Sequence, residues 1–325
     1  MIGPEYLKIR KTHRPWVNLR GMALARISFI ARSLRAAIWL AMRNNVFDTA
    51  KAAAYSGMLM LFPSFLVLTT LLALVPAGNT LLDALRTSSE QFLPADTMSL
   101  LQSYFQTQKA FSLQVLLSAT SLAVFAALGV MLTLMEGFRR AYQLPEKGWN
   151  VWQLHIRALM LVPIAVVPLT TASFILVFGQ FIEGWMIQNS EHELLFVVIV
   201  LWRLARWTLA VLTSITVLGA VYHFGTRSQE SWRHVLPGAT TATLIWFPVT
   251  LAYGLYVTRV ADYSIIYGSL GTAIATLVWL YITSFSILLG AHFNGVLHRE
   301  RKAGEARIIS RQALSQPDSA APHLL

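Results

Sequence analysis

The chain of 325 residues contains no cysteine. A disulfide framework and a Cys-ligated metal site are therefore excluded. Charge is scarce as well. Only 13% of the residues are Asp, Glu, Lys or Arg, against about 25% in ordinary soluble domains. The scarcity is concentrated in six stretches, 52–82, 110–135, 158–182, 207–226, 234–258 and 263–298, which hold none of the four. A bilayer core takes about 20 apolar residues per helical span. With 55% hydrophobic residues and a mean hydropathy of +0.55, these gaps predict an all-α polytopic membrane bundle of six transmembrane helices. No Pro/Gly/Ser-rich linker divides it. The expected order is a basic segment 1–45, a membrane domain 46–298, and a polar, disordered tail 299–325.

The charge that is present is sorted. The net charge is +11, which in a soluble chain would suggest nucleic acid; its distribution argues against that. Arg26, Arg32, Arg35 and Arg43 precede the first apolar stretch; Arg139, Arg140, Lys147 and Arg157 lie between the second and third. Arg227 and Arg233 separate the fourth and fifth, and Arg299, Arg301 and Lys302 follow the sixth. The alternate connections carry only Arg86, Lys109 and Arg259, beside Asp83, Glu90, Asp96, Glu183, Glu191, Glu193 and Asp262. Basic loops on one side are the positive-inside pattern and predict that both termini are cytoplasmic. The first apolar run begins near residue 50, after a long basic leader, unlike a cleavable signal. Within the leader, Leu24, Ile27, Ala31, Leu34 and Ile38 recur at helical spacing, with Arg32, Arg35 and Arg43 on another side. Such a helix can lie on an anionic leaflet or pack on the bundle.

Prolines punctuate the spans. Pro63, Pro163, Pro168 and Pro248 each remove a backbone bond, which neighbouring helices can cover. Ala52, Ala53, Ala54, Ser56 and Gly57 offer a small-residue face to a partner helix. Residues 78–109, split at Pro94, read as two short amphipathic helices forming an outer cap. No tandem or inverted repeat is evident.

Several polar residues are candidates for function, each with a plainer alternative. Arg203 and Arg206 share a helix face. They line a cavity and contact a headgroup, or they form an interfacial belt with Trp202 and Trp207. Lys51 contacts a phosphate or snorkels to the headgroups. Arg139 and Arg140 belong to a gate or pair with Glu136. His292 and Asn294 bond between helices, or His292 answers to pH. In Tyr267-Gly268-Ser269-Leu270-Gly271, Ser269 caps a helix while the glycines permit packing, or free amides hold an anion. The aromatic residues Trp246, Trp279 and Tyr281 read as lipid-facing. Nucleotide, zinc-protease and serine-hydrolase templates are absent. No cofactor or metal is expected, and no enzyme activity.

Three groups of residues resemble the YihY/BrkB family of bacterial inner-membrane proteins, once labelled ribonuclease BN. They are Ala52-Ala53-Ala54-Tyr55 with Leu61-Phe62-Pro63; the Arg139–Arg157 loop with Leu236-Pro237-Gly238-Ala239; and Tyr267-Gly268-Ser269-Leu270-Gly271 with Trp279-Leu280-Tyr281, Leu289-Gly290-Ala291 and Asn294. The similarity covers roughly 45–298. His292 stands where the family usually has Glu, and Arg139 where it usually has Asn. The resemblance implies an inner-membrane location and proposals of transport, including lipid A precursors, with serum resistance in one member. The nuclease label looks like a misassignment. The expected activity is transport or flipping of an anionic lipid or amphipath, with membrane lipids as partners. The alternative is an envelope scaffold or regulator. Self-association is left open.

Overall fold

The computed structural model describes residues 15–73, 113–145, 149–189, 195–227, 230–259 and 269–315. They form seven helices: α1 (Pro15–Arg43), α2 (Val46–Ala73), α3 (Leu113–Ala141), α4 (Val151–Asn189), α5 (Leu195–Gly225), α6 (Trp232–Arg259) and α7 (Ser269–Ser315). Helices α2 to α7 supply six segments long and apolar enough to cross a bilayer, one for each charge-free stretch. Among the described residues there is no strand. The outer cap expected at 78–109, and Tyr267 and Gly268, lie outside the described residues.

The six long helices form a closed ring in chain order. Each packs on the next, and α7 returns to α2, while α1 lies outside against α7. The ring is drawn tight at the end that carries the basic connections, here the basic end. Phe138, Leu161, Tyr222 and Leu288 fill its centre there, each at most 1% exposed. Phe138 and Tyr222 meet edge to face, with centroids 5.2 Å apart. The small-residue face of α2 packs in part, with Ala52 exposed and Ser56 half-buried. Ala53, Ala54 and Gly57 are buried, and a Cβ on Gly57 would touch Leu280 at 3.5 Å.

Three sequence expectations shift. On α1 the buried stripe is Ser33, Ala37, Leu40 and Ala41, with Leu34 partly covered, against Phe293, Val296 and Leu297 of α7. Ile38 and Ala31, placed on the apolar face by periodicity, are exposed beside Ile30, Trp39 and Met42. The helix is apolar on two sides, so a single stripe was a poor description. One side packs on α7, and another presents apolar and basic side chains outward. The segment after Arg299, expected to be a disordered tail, continues α7 as helix to Ser315. Its lysines, arginines and alanines are good helix formers, and the preceding turns provide the nucleus. Trp246, expected to face lipid, instead donates to Thr283 Oγ1 across α6 and α7 at 3.0 Å.

Candidate functional site

The charged site at the end opposite the basic one is built by α4 and α5. The expectation was an acidic loop from Glu183 onward, but α4 runs to Asn189 and Glu183 sits on its surface, buried against α5. Arg203 Nε donates to Glu183 Oε1 at 2.5 Å, and Arg206 donates to Oε2 at 2.5 Å. The two arginines differ in setting. The Arg206 side chain is 8% exposed, whereas that of Arg203 is 60% exposed. Gly179 makes room for this arrangement, since a Cβ there would stand 2.2 Å from Arg206 Cδ. The Gly179 carbonyl also accepts from Trp202 Nε1 at 3.0 Å. Glu183 thus binds both guanidiniums with one carboxylate.

At the basic end the other expected residues divide into pairs and clamps. Arg139 holds Glu136 with two bonds of 2.6 and 2.7 Å, and Arg140 reaches the same carboxylate at 2.9 Å. This is the helical ion pair anticipated as the plain alternative. Lys51 is exposed and bonds Asp48 one turn away at 3.2 Å. Ser269 opens α7 and Gly271 is buried within it; Pro63 is buried inside α2.

Asn294 is fully buried and does the work of a backbone. Its carbonyl accepts from Gly238 N at 2.7 Å, and its amide donates to the Val235 carbonyl at 2.8 Å. Pro237 interrupts the α6 ladder, and this side chain from α7 satisfies the polar groups beside it. Gly238 and Gly290 allow the contact. A Cβ on Gly290 would meet the Gly238 carbonyl at 2.5 Å and the Tyr222 hydroxyl at 2.6 Å. Tyr222 donates to the Ile287 carbonyl at 2.5 Å. Thus Leu236-Pro237-Gly238-Ala239 and Leu289-Gly290-Ala291 with Asn294, far apart in sequence, form one helix crossing. His292 is buried nearby, with Nδ1 on the Leu288 carbonyl at 2.7 Å and Nε2 within 3.4 Å of the Asn44 amide. Asn44 also donates to the Arg140 carbonyl at 3.1 Å, joining the α1–α2 turn to the end of α3.

A cluster that the sequence did not reveal lies beside this crossing. Glu230, in the α5–α6 connection, binds His298 and also Arg301 at 2.8 Å, both from α7, and His234 at 3.0 Å. Burial opposes the charge on Glu230, but the Arg301 hydrogen bond and the Arg301 and His298 charges outweigh it, holding its carboxyl below the ordinary range. Tyr142 packs on His298 at 5.9 Å. Burial first, then the Glu230 charge, pushes its hydroxyl upward, so it stays protonated. Spacing on α7 was a weak hint, because His298 and Arg301 are one turn apart; their partner comes from a distant loop. Among the described residues no three His, Asp or Glu converge as a metal site.

The comparisons agree with this architecture. The ribonuclease-like protein YfkH of Bacillus subtilis strain 168 is 29% identical over 250 residues, 77% of this chain and 89% of its own. A UPF0761 membrane protein of Chromohalobacter salexigens is 25% identical over 85% of this chain and 66% of its own. A third relative, a UPF0761 membrane protein of Aromatoleum aromaticum, is 26% identical over 77% of this chain and 60% of its own. These last two extend well beyond the matched region. No solved structure matches the chain. The family model described as Virulence factor BrkB matches residues 39–314, which takes in all six apolar helices and both ends described above. The chain is an integral membrane protein of the BrkB family.

Proposed function

We propose that this protein moves an anionic lipid or another anionic amphipathic molecule between leaflets of a bacterial inner membrane. The observation that carries the reading is the pair of arginines gathered on Glu183, with the Arg203 side chain exposed. A hydrocarbon core of about 30 Å takes roughly 20 residues at 1.5 Å each. Counted back from Gly225 along α5, that distance ends close to Arg206. The group therefore belongs at the far boundary of the bilayer, where an arginine can grip a phosphate or carboxylate with two bonds. Acyl tails would stay in lipid. The basic end faces the cytoplasm in this reading, following the bias of the connections. There Lys51, Arg139 and Arg140 would exchange Asp48 and Glu136 for the headgroup. The sequence has no ATP-binding motif, so uphill movement would draw on a gradient or a partner.

Proteoliposomes carrying fluorescent phosphatidylglycerol provide the test. Dithionite should bleach inner-leaflet probe faster than in protein-free vesicles, and Arg203→Gln should slow it. Translocation equal to that of empty vesicles removes the proposal and favours a scaffold. Orientation is separately testable, because no native cysteine competes. A cysteine introduced at position 228 should label only from the cytoplasmic side. The ribonuclease alternative requires cleavage of tRNA precursors by purified protein with a divalent metal, and we expect none.

A further inference from the structure

At the basic end, the start of α4 and the end of α5 enclose a groove of about 550 Å³, lined by no residue of the Glu183 group or of the Asn294 crossing. Its lining includes Trp149, Arg157, His223, Phe224, Thr226 and Arg227. Among the described residues no carboxylate lines it. Arg139, Arg140, Arg203, Arg206 and Arg301 are each tied to a carboxylate. Among the described residues, Arg157 and Arg227 have no such partner. Arg157 instead lies over the Trp149 ring, 4.7 Å from its centroid, a cation–π contact that holds the guanidinium at the groove wall. His223 is fixed too: its Nδ1 bonds the Glu230 carbonyl at 2.7 Å, and its ring stacks on Trp232.

The charge balance favours an anion. The carbonyl end of α5 opposes one with about half an elementary charge; two whole guanidinium charges outweigh it. The surroundings decide which anion. Val151, Trp152 and Ile156, on the same turns of α4, are 71%, 81% and 49% exposed. A cationic groove bordered by apolar side chains suits a phosphate that has hydrocarbon attached better than a free ion. We infer that this groove binds the phosphate of an anionic phospholipid in the adjacent leaflet. The inference does not depend on transport. A protein that binds lipid here and moves nothing would satisfy it.

Native mass spectrometry of delipidated protein, titrated with dioleoyl phosphatidylglycerol or dioleoyl phosphatidylcholine, tests it directly. The first phosphatidylglycerol should bind roughly tenfold more tightly than phosphatidylcholine. Arg157→Gln with Arg227→Gln should remove that preference, whereas Arg307→Gln, exposed on α7, should leave it. Trp149→Leu removes the platform but no charge, and should weaken binding by a smaller factor; it carries the test if the double variant does not fold. Equal affinity for both lipids, or a folded double variant that keeps the preference, overturns the inference. Inorganic phosphate should not compete. Displacement of the lipid by micromolar phosphate would assign the groove to a free anion and overturn the lipid assignment.

Discussion

The two ends of this bundle are held by different physics. At the basic end, helices approach until backbone meets backbone: Cβ atoms on Gly238 and Gly290 would stand 2.3 and 2.5 Å from the opposing carbonyls. Asn294 spends both halves of its amide there. In the far halves of α4 and α6, a Cβ on Gly184 or Gly254 would meet nothing within 4 Å. Between α4 and α5 at that end, one carboxylate between two arginines supplies the polar contact. In a membrane, apolar burial gives helices little reason to associate, so contact geometry and polar bonds decide where a bundle is firm. The comparison separates an end joined backbone to backbone from one joined through an ion pair.

The contrast breaks most sharply through glycine. Gly290→Leu must displace backbone and the Tyr222 hydroxyl, and should cost about 3 kcal/mol or more. Melting of the detergent-solubilised protein, followed by size-exclusion chromatography, would show the folded peak lost at moderate temperature. Gly254→Ala should stay within about 0.5 kcal/mol of the parent. Equal sensitivity at both positions would end the distinction.

Next in size is Glu183→Gln, which leaves the buried Arg206 without its carboxylate and should cost about 3 kcal/mol. Arg203→Gln should lower the melting temperature less, because that side chain is largely exposed. The reverse order would mean that Arg203, not Arg206, sits in the low-dielectric contact.

Acid should loosen the firm end through Glu230. Its carboxyl is held below the ordinary range in the fold, so the unfolded chain binds the proton more readily. The stabilisation is complete above the ordinary glutamate value of about 4.3. It is lost as pH falls through that value and on to the lower folded one. Melting temperature measured from pH 7 to pH 3 should therefore drop more in the parent than in Glu230→Gln.

The smallest effect lies at the exit of α3. Gln143 adopts a φ of 54°, and Leu144 N bonds the Arg139 carbonyl at 3.0 Å in a left-handed helix cap. Gln143→Gly should raise stability by about 0.5 kcal/mol. Thermal shift of the purified variant would check it.

How much of this was legible depends on the range of the interaction. The spans could be read because bilayer thickness imposes a length on every apolar run, and the described part of each charge-free stretch coincides with one long helix. The Glu136–Arg139–Arg140 pair was readable for the same reason, being local. Glu183 was misplaced because an acid after an apolar run resembles the start of a loop; its burial requires Arg206, 23 residues later. The link from Asn294 to Pro237 and Gly238 spans more than 50 residues, and no periodicity encodes it. On α1, apolar residues on two sides left the packed stripe undetermined until α7 supplied Phe293 and Val296.

The ring order has a consequence for biosynthesis. Since each helix packs on its predecessor, the ribosome delivers every new segment next to a surface already waiting for it. Only α7 touches α1, α2, α3 and α6 together, so it serves as the keystone of the arch. A nascent chain arrested before Ser269 would hold α2 and α6 with bare flanks, including the Gly238 notch that Asn294 fills. Such a chain would offer membrane proteases and chaperones an unclosed seam that the finished protein hides.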